Sequence, residues 1–341
     1  MNKNTLPNRI YFAAARSAAI LMLAATLLVL AGQAQARDSV KFLLDWTWWP
    51  PQIPLIVAME KGYFEEAGLS VEYRQGSGSS TTAQTVGQGT YDMGHVNLTT
   101  AAQNIAKGVP IRSVATISPF GASALVFKQG AISDVNDLLG KRIGSTAGGS
   151  DAQILPAFFE KNRIDTNDVQ IVNLPGDAKL GALLSDQIDV VSGDGYYYIA
   201  LAAERGFELE QMVFGDFDAN TIGYGLVANE EFIANHPDRI ERFVQAALRG
   251  YAYTDANMDE AIAIYKEVSD TEQSEETIHR ILSGFLNLIK AGRSGEENPY
   301  SGLNREADWS STLEVLSNYG GLTSDKDQAD YWTNEFVPQA N

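Results

Sequence analysis

Apolar residues run along the chain in two alternating rhythms. Short runs, bounded by Gly, Pro, Asn or Asp, have the length and composition of strands: Val40–Leu44, Val71–Arg74, Tyr91–Val96, Ile111–Ile117, Ala124–Phe127, Lys141–Gly144, Val169–Asn173, Ile188–Ser192, Gln211–Phe214 and Gly225–Ala228. Between them lie segments with helical spacing. Leu55, Ala58 and Met59 share one face, and Ala83–Gln88, Leu98–Lys107 (closed by Gly108 and Pro110), Asp134–Leu139, Ala152–Asn162 and Lys179–Leu184 follow. This alternation predicts an α/β protein. No strand-like run follows Ala228. Instead His236-Pro237 opens a long helix whose Ile240, Phe243, Val244, Ala247, Leu248 and Tyr251 form one stripe, and helical patterns continue at Ala261–Val268, Ile278–Ile289 and around Trp309, Leu313 and Leu316. The plan is two βα lobes that repeat strand, small-residue loop and helix, followed by a helical tail.

The first residues carry a different pattern. Lys3, Arg9 and Arg16 precede the apolar run Ala18–Leu30, which is short for a membrane span, and Ala34-Gln35-Ala36 is a small-x-small cleavage site. Residues 1–36 are therefore expected to be a secretory signal peptide, cleaved after Ala36, that sends the chain to the periplasm. The chain has no Cys, which excludes a disulfide framework and thiolate chemistry. Its formal charge of −18 becomes −21 once the three signal-segment cations are removed. That acidity argues against nucleic acid and anionic membranes as partners.

The candidate chemistry sits where predicted strands end. Asp45, Trp46, Trp48 and Trp49 follow the first strand in a Pro-stiffened turn that also holds Gln52. Ser77, Ser79, Ser80 and Thr81 lie in a small-residue run ahead of a predicted helix, where N–H and hydroxyl groups suit a polar or anionic group. Asn97 and Phe120 lie just past two more strands. The run STAGGS supplies Gly149 and Ser150, and the strand at Ile188–Ser192 runs into Asp194, Tyr196, Tyr197 and Tyr198. In α/β proteins ligands sit at the carboxyl ends of strands. These residues are therefore the expected ligand-binding set, with carboxylates for amino or ring N–H groups and aromatic faces for a planar ring. No Walker loop, H-E-x-x-H or G-x-S-x-G occurs. His95, His236 and His279 are far apart, so no catalytic group, metal site or cofactor is expected. The stretches expected to line the cleft hold no Lys or Arg, which ranks a planar, amine-bearing heterocycle first and a sulfonate or other organic anion second.

Motifs spread along the mature chain carry a family resemblance: LLDW at 43–46, VAMEKGYFEEAGL at 57–69, YDMG at 91–94, KGVPIRSVA at 107–115, DLLGKRIGST at 137–146, PAFFEKNRID at 156–165, RFVQAALRGY at 242–251 and YWTNEFVP at 331–338. The chain resembles the NMT1/THI5-like periplasmic solute-binding proteins of ABC importers, a group that includes thiamin-pyrimidine, sulfonate, taurine and nitrate binders. The resemblance implies a type II periplasmic-binding-protein fold. Its first lobe would be residues 37–122 and 229–341, with the helical tail packed on it, and its second lobe residues 123–228. Two crossover segments would join them, with one small-molecule ligand in the cleft. It also implies a monomer that delivers its ligand to an inner-membrane permease with its ATPase. Pyrimidine binders of the group tend to read Pro-Asn-x-Asn-His after Asp-Trp. Here Trp48, Trp49, Pro51 and Gln52 stand instead. The group's yeast enzyme of pyrimidine synthesis carries a Cys-rich motif and an active-site His, whereas this chain has no Cys and has Gln52 at the His position.

Overall fold

The computed structural model describes residues 37–338; the segment 1–36, expected to be a signal peptide, lies outside the described residues. Ten strands form two five-stranded mixed sheets. The first contains β1 (Asp38–Leu43), β2 (Leu69–Arg74), β3 (Met93–Asn97), β4 (Ile111–Thr116) and β10 (Tyr224–Asn229), in the order β2-β1-β3-β10-β4. The second contains β5 (Ser123–Lys128), β6 (Arg142–Ser145), β7 (Gln170–Asn173), β8 (Val190–Asp194) and β9 (Leu209–Val213), in the order β7-β6-β8-β5-β9.

The two sheets share one design. β1 runs parallel to β3, as β6 runs parallel to β7 and β8. Each sheet then receives one antiparallel strand from across the molecule. β10 lies between β3 and β4, and β5 lies between β8 and β9. The chain crosses from the first sheet at residues 117–122 and returns at residues 214–223. The two crossings are tied to each other: Gly121 N donates to Thr221 O (2.7 Å) and Gly223 N to Ser118 O (3.0 Å). The sequence-based boundary after Ala228 is corrected by this pairing. The run Gly225–Ala228 belongs to the first sheet, because its partners are on β3 and β4.

Local sequence explains the helices that aim residues at the strand ends. α1 (Ile53–Glu60) starts from a Pro-rich turn, and Pro54 occupies its first turn where a missing N–H is harmless. α2 is the short Tyr63–Glu66 helix. α3 (Ser79–Gly87) begins four residues earlier than the apolar spacing predicts, since its first turn is all Ser and Thr. α4 (Leu98–Ala106) is capped by Asn97, whose side chain accepts from Thr99 N and Thr100 N. The second sheet carries α5 (Ser150–Lys161), α6 (Ala178–Leu184) and α7 (Gly195–Glu204). The segment expected as a helix at Asp134–Leu139 is a short 3₁₀ turn over Val135–Leu138.

The tail comprises α8 (Glu230–Asn235), α9 (Pro237–Ala256), α10 (Met258–Ser269), α11 (Glu275–Gly292) and α12 (Glu306–Tyr319). The apolar stripe of α9 is fully enclosed and packs with Phe42, Ile56 and Phe64 of the first lobe. The tail thus packs on the first lobe as expected, and it also reaches the second: α11 packs on α7 and α12 on α5. Among the described residues no helix is long and apolar enough to cross a membrane.

Candidate functional site

Residues at the carboxyl ends of β1, β6 and β8 enclose a cavity of about 230 Å³. Trp46, Trp48 and Trp49 line one side, and Tyr197 and Tyr198 line the other. Trp49 contacts both Tyr197 and Tyr224 edge-on, with ring centroids 5.8 and 5.6 Å apart. The two lobes touch over the cavity. A Cβ at Gly176 would lie 2.4 Å from Cζ2 of Trp46, so the indole rests on bare backbone. Gly78, at φ 141°, is equally confined: a Cβ there would lie 2.4 Å from Gly148 O. Ser80 N donates to the same carbonyl at 3.3 Å.

Asp45 is buried at the end of β1. Gln52 Nε2 donates to its Oδ1 at 3.0 Å, and His95 Nδ1 lies 2.8 Å from the same oxygen. His95 itself is fully buried and stacks on Tyr224, with centroids 5.3 Å apart and planes 13° apart. Gln52 Oε1, His95 Nε2 and Trp49 Nε1 are buried without protein partners. Unsatisfied buried groups are rare in cores, and two of these three residues, Gln52 and His95, bond the same carboxylate.

Asp194 is the second buried carboxylate. It occupies the N-cap position of α7 yet makes no capping hydrogen bond. An Asp at that position normally caps, which stabilises a helix by about 1 kcal/mol. Here Oδ2 instead accepts from Tyr224 Oη at 3.0 Å and from Tyr196 Oη at 3.4 Å. Burial pushes its carboxyl up to about 6, against the lowering effect of the Tyr224 hydrogen bond and with help from the charges of Asp45 and Asp151. Burial also holds the phenols of Tyr196 and Tyr224 well above their ordinary value, so both remain donors. Asp194 makes no ion pair among the described residues.

The cavity also holds a cation where none is expected. Lys179 is 3% exposed, lines the cavity, and donates to Asp151 Oδ2 (3.1 Å) and Ser192 O (2.8 Å). Asp151 is fixed in turn by Ser145 Oγ at 3.0 Å and Thr146 N at 3.2 Å. The candidate stretches themselves hold no Lys or Arg, but the wall gains a cation from a segment outside them. Lys179 begins a helical pattern and reads as a surface cation, but α6 turns it under β8.

Of the residues singled out in the sequence, Asp45, Trp46, Trp48, Trp49, Ser79, Gly149, Ser150, Asp194, Tyr197 and Tyr198 share this cavity wall. The others do not. Ser77 and Thr81 are exposed. Ser80 turns inward, where its hydroxyl accepts from Gln84 and Asn104. Asn97 is occupied as a helix cap, and Phe120 lies in a crossover where its carbonyl accepts from Ser118 Oγ. Gln52 stands behind Asp45. Tyr196 packs on Phe285, because three consecutive residues in a helical turn point about 100° apart and cannot all face one cavity. Thr47, Thr146, Asp151, Gly176, Asp177, Lys179, Gly193 and Tyr224 complete the wall and were not singled out. Thr47 in the Trp run, Thr146 within STAGGS, Asp151 next to it and Gly193 beside Asp194 carried a positional signal, whereas Gly176, Asp177, Lys179 and Tyr224 did not.

Comparison with known proteins places this architecture. The model of the family described as NMT1/THI5 like matches residues 49–261. A Brucella abortus chain whose name calls it a binding protein is 25% identical over 297 residues, 85% of this chain and 88% of that one. A 4-amino-5-hydroxymethyl-2-methylpyrimidine phosphate synthase of Saccharomyces cerevisiae is 25% identical over 253 residues, 69% of this chain and 72% of that one. The periplasmic aliphatic sulphonate binding protein SsuA of Escherichia coli shares the fold, with a TM-score of 0.66 and 13% identity over 88% of this chain and 99% of that one. From the match across both sheets and into the helical tail, the chain belongs to the NMT1/THI5 like family.

Proposed function

We propose that this protein is the periplasmic solute-binding component of an ABC importer. It captures one small organic molecule in the cleft between its two lobes, closes about the paired crossings at residues 117–122 and 214–223, and presents the closed form to a permease. Family membership supports this reading, as do the binding roles named for the Brucella relative and for the sulphonate-binding protein of the same fold. Catalysis is disfavoured. The only hydrogen-bond partner of the His95 ring among the described residues is Asp45, so the imidazole is not paired with a nucleophile.

The ligand is a planar, amine-bearing ring. The single observation that carries this is Asp194: a buried carboxylate on the cavity wall, freed from capping its helix, bonded to phenols and without an ion-pair partner among the described residues. A ligand amine supplies the missing donor, and the Trp and Tyr faces hold the ring. A product named for the yeast relative is an aminopyrimidine, which is the same class of ring. A second reading, an organic anion such as a sulfonate, draws on Lys179 and on the start of α5 at Ser150, which has no side-chain cap. Asp151 already neutralises Lys179, which weakens it.

Calorimetric titration of the mature protein with amino-heterocycles and with alkanesulfonates, alongside solution scattering, tests the assignment. The expected result is one-to-one binding of an amino-heterocycle with a fall in radius of gyration. Tighter binding of a sulfonate installs the second reading, and binding without compaction removes the closure.

A further inference from the structure

Lys179 has one donor to spare. An ammonium carries three N–H groups. Asp151 Oδ2 and Ser192 O take two of them, and no other acceptor among the described residues takes the third. The ring of Tyr198 lies beneath, 5.5 Å from Nζ to the centroid, at the long end of cation–π range. The side chain is almost wholly buried, held from two sides, and part of the cavity wall. It is thus a rigid, oriented donor rather than a mobile charge.

Its position relative to Asp194 is set by one strand. Lys179 binds the carbonyl of Ser192, and Asp194 lies two residues further along β8. Two residues of strand span about 6–7 Å, so a single ring can reach both groups. Asp194 accepts, and Lys179 donates.

Resting on the amine-ring reading above, we propose that Lys179 is the specificity-determining donor of the site, and that the ligand carries a hydrogen-bond acceptor, a ring nitrogen or carbonyl oxygen, on the same ring system as its amine. Asp151 cancels the charge of Lys179, so the acceptor need not be anionic. A site built to hydrogen-bond a group rejects analogues that lack it, because its own buried donor is then left unpaired.

The test compares ring pairs that differ only in the acceptor: 3-aminopyridine and 4-aminopyrimidine, each against aniline, at pH 8, where the ring nitrogens are unprotonated and accept. The wild-type protein is expected to prefer the acceptor-bearing probes by about tenfold or more. Lys179→Met alone would leave Asp151 buried and unpaired, so it is made together with Asp151→Asn, and folding is checked by circular dichroism. In that double variant the preference should shrink to about twofold or less. A merely structural role would weaken all probes equally and leave the ratio intact. Lys179→Arg, which keeps the charge but changes the donor geometry, should also reduce the preference. An unchanged ratio in the folded double variant overturns the role of Lys179. Equal wild-type affinity for aniline and the other probes overturns it as well, while leaving the amine-ring reading in place. Binding of no probe by the wild type overturns both.

Discussion

Replacing Asp194 with Asn should make the ligand-free protein more stable at alkaline pH while weakening its hold on ligand. The unfolded chain ionises this carboxyl near its ordinary 3.8, but in the folded protein burial moves it to about 6. Between those values the native state holds the proton more strongly. Wild-type stability therefore falls as pH climbs from about 4 to about 6, and the full cost is present above that. A difference of this size corresponds to about 3 kcal/mol. Asn removes the ionisation and keeps an oxygen to accept from Tyr224, but its NH₂ needs a new acceptor, at a cost of about 1–3 kcal/mol. That offset does not depend on pH. The change in relative stability between pH 4 and pH 8 isolates the carboxylate, and about 2 kcal/mol in favour of Asp194→Asn is expected across that interval, because more than half of the unfolded carboxyl is already ionised at pH 4. Urea unfolding of both ligand-free proteins at pH 4, 6 and 8 measures it. A difference in stability that stays flat with pH would show that Asp194 is not a desolvated, uncompensated carboxylate. The same variant should bind its ligand about tenfold more weakly or worse at pH 8, since a charged hydrogen bond contributes roughly 1.5–3 kcal/mol.

Gly176→Val places a side chain where Trp46 now rests, so it should hold the lobes apart. Its radius of gyration with saturating ligand should stay near the ligand-free value, with faster ligand dissociation; normal compaction would show that this contact is dispensable. The exported protein should begin at Arg37 by N-terminal sequencing, and retention of Ala18–Leu30 in the mature chain would contradict the signal-peptide assignment.

The strands and the amphipathic tail were legible because each follows from a local pattern. Val40–Leu44 and Ile188–Ser192 are apolar runs cut off by polar strand ends, and the stripe from Ile240 to Tyr251 has one period throughout. What escaped depends on pairing across the chain. Nothing local to Gly225–Ala228 says that it joins the first sheet, since its partners on β3 and β4 lie more than a hundred residues earlier. The Ser79–Thr82 turn hides a helix start because it has no apolar residue to mark a face. The Tyr196–Tyr198 run reads as a loop cluster but is the first turn of α7, which sends one of its three rings away from the cavity.

The site shows the same division. Carboxylates and indoles at strand ends could be placed from order alone, which is why Asp45, Asp194 and the Trp run reach one cavity. Lys179 could not, because a Lys opening a helix is usually solvated. Its burial is set by Asp151 and the Ser192 carbonyl, which come from two other segments. Tyr224 was hidden by the misassigned strand, yet it bonds Asp194 and stacks on His95, and so joins Asp45 and Asp194 into one cluster.

If the cavity between the lobes holds a small amine-bearing ring, that molecule should travel with the protein. Mass spectrometry of the small molecules released from protein purified natively from the periplasm would then find one compound, near one per protein chain, with an amine on a planar ring, and would find it lost from Asp194→Asn prepared in the same way. A stoichiometric sulfonate or other organic anion that persists in Asp194→Asn would contradict the amine-ring reading.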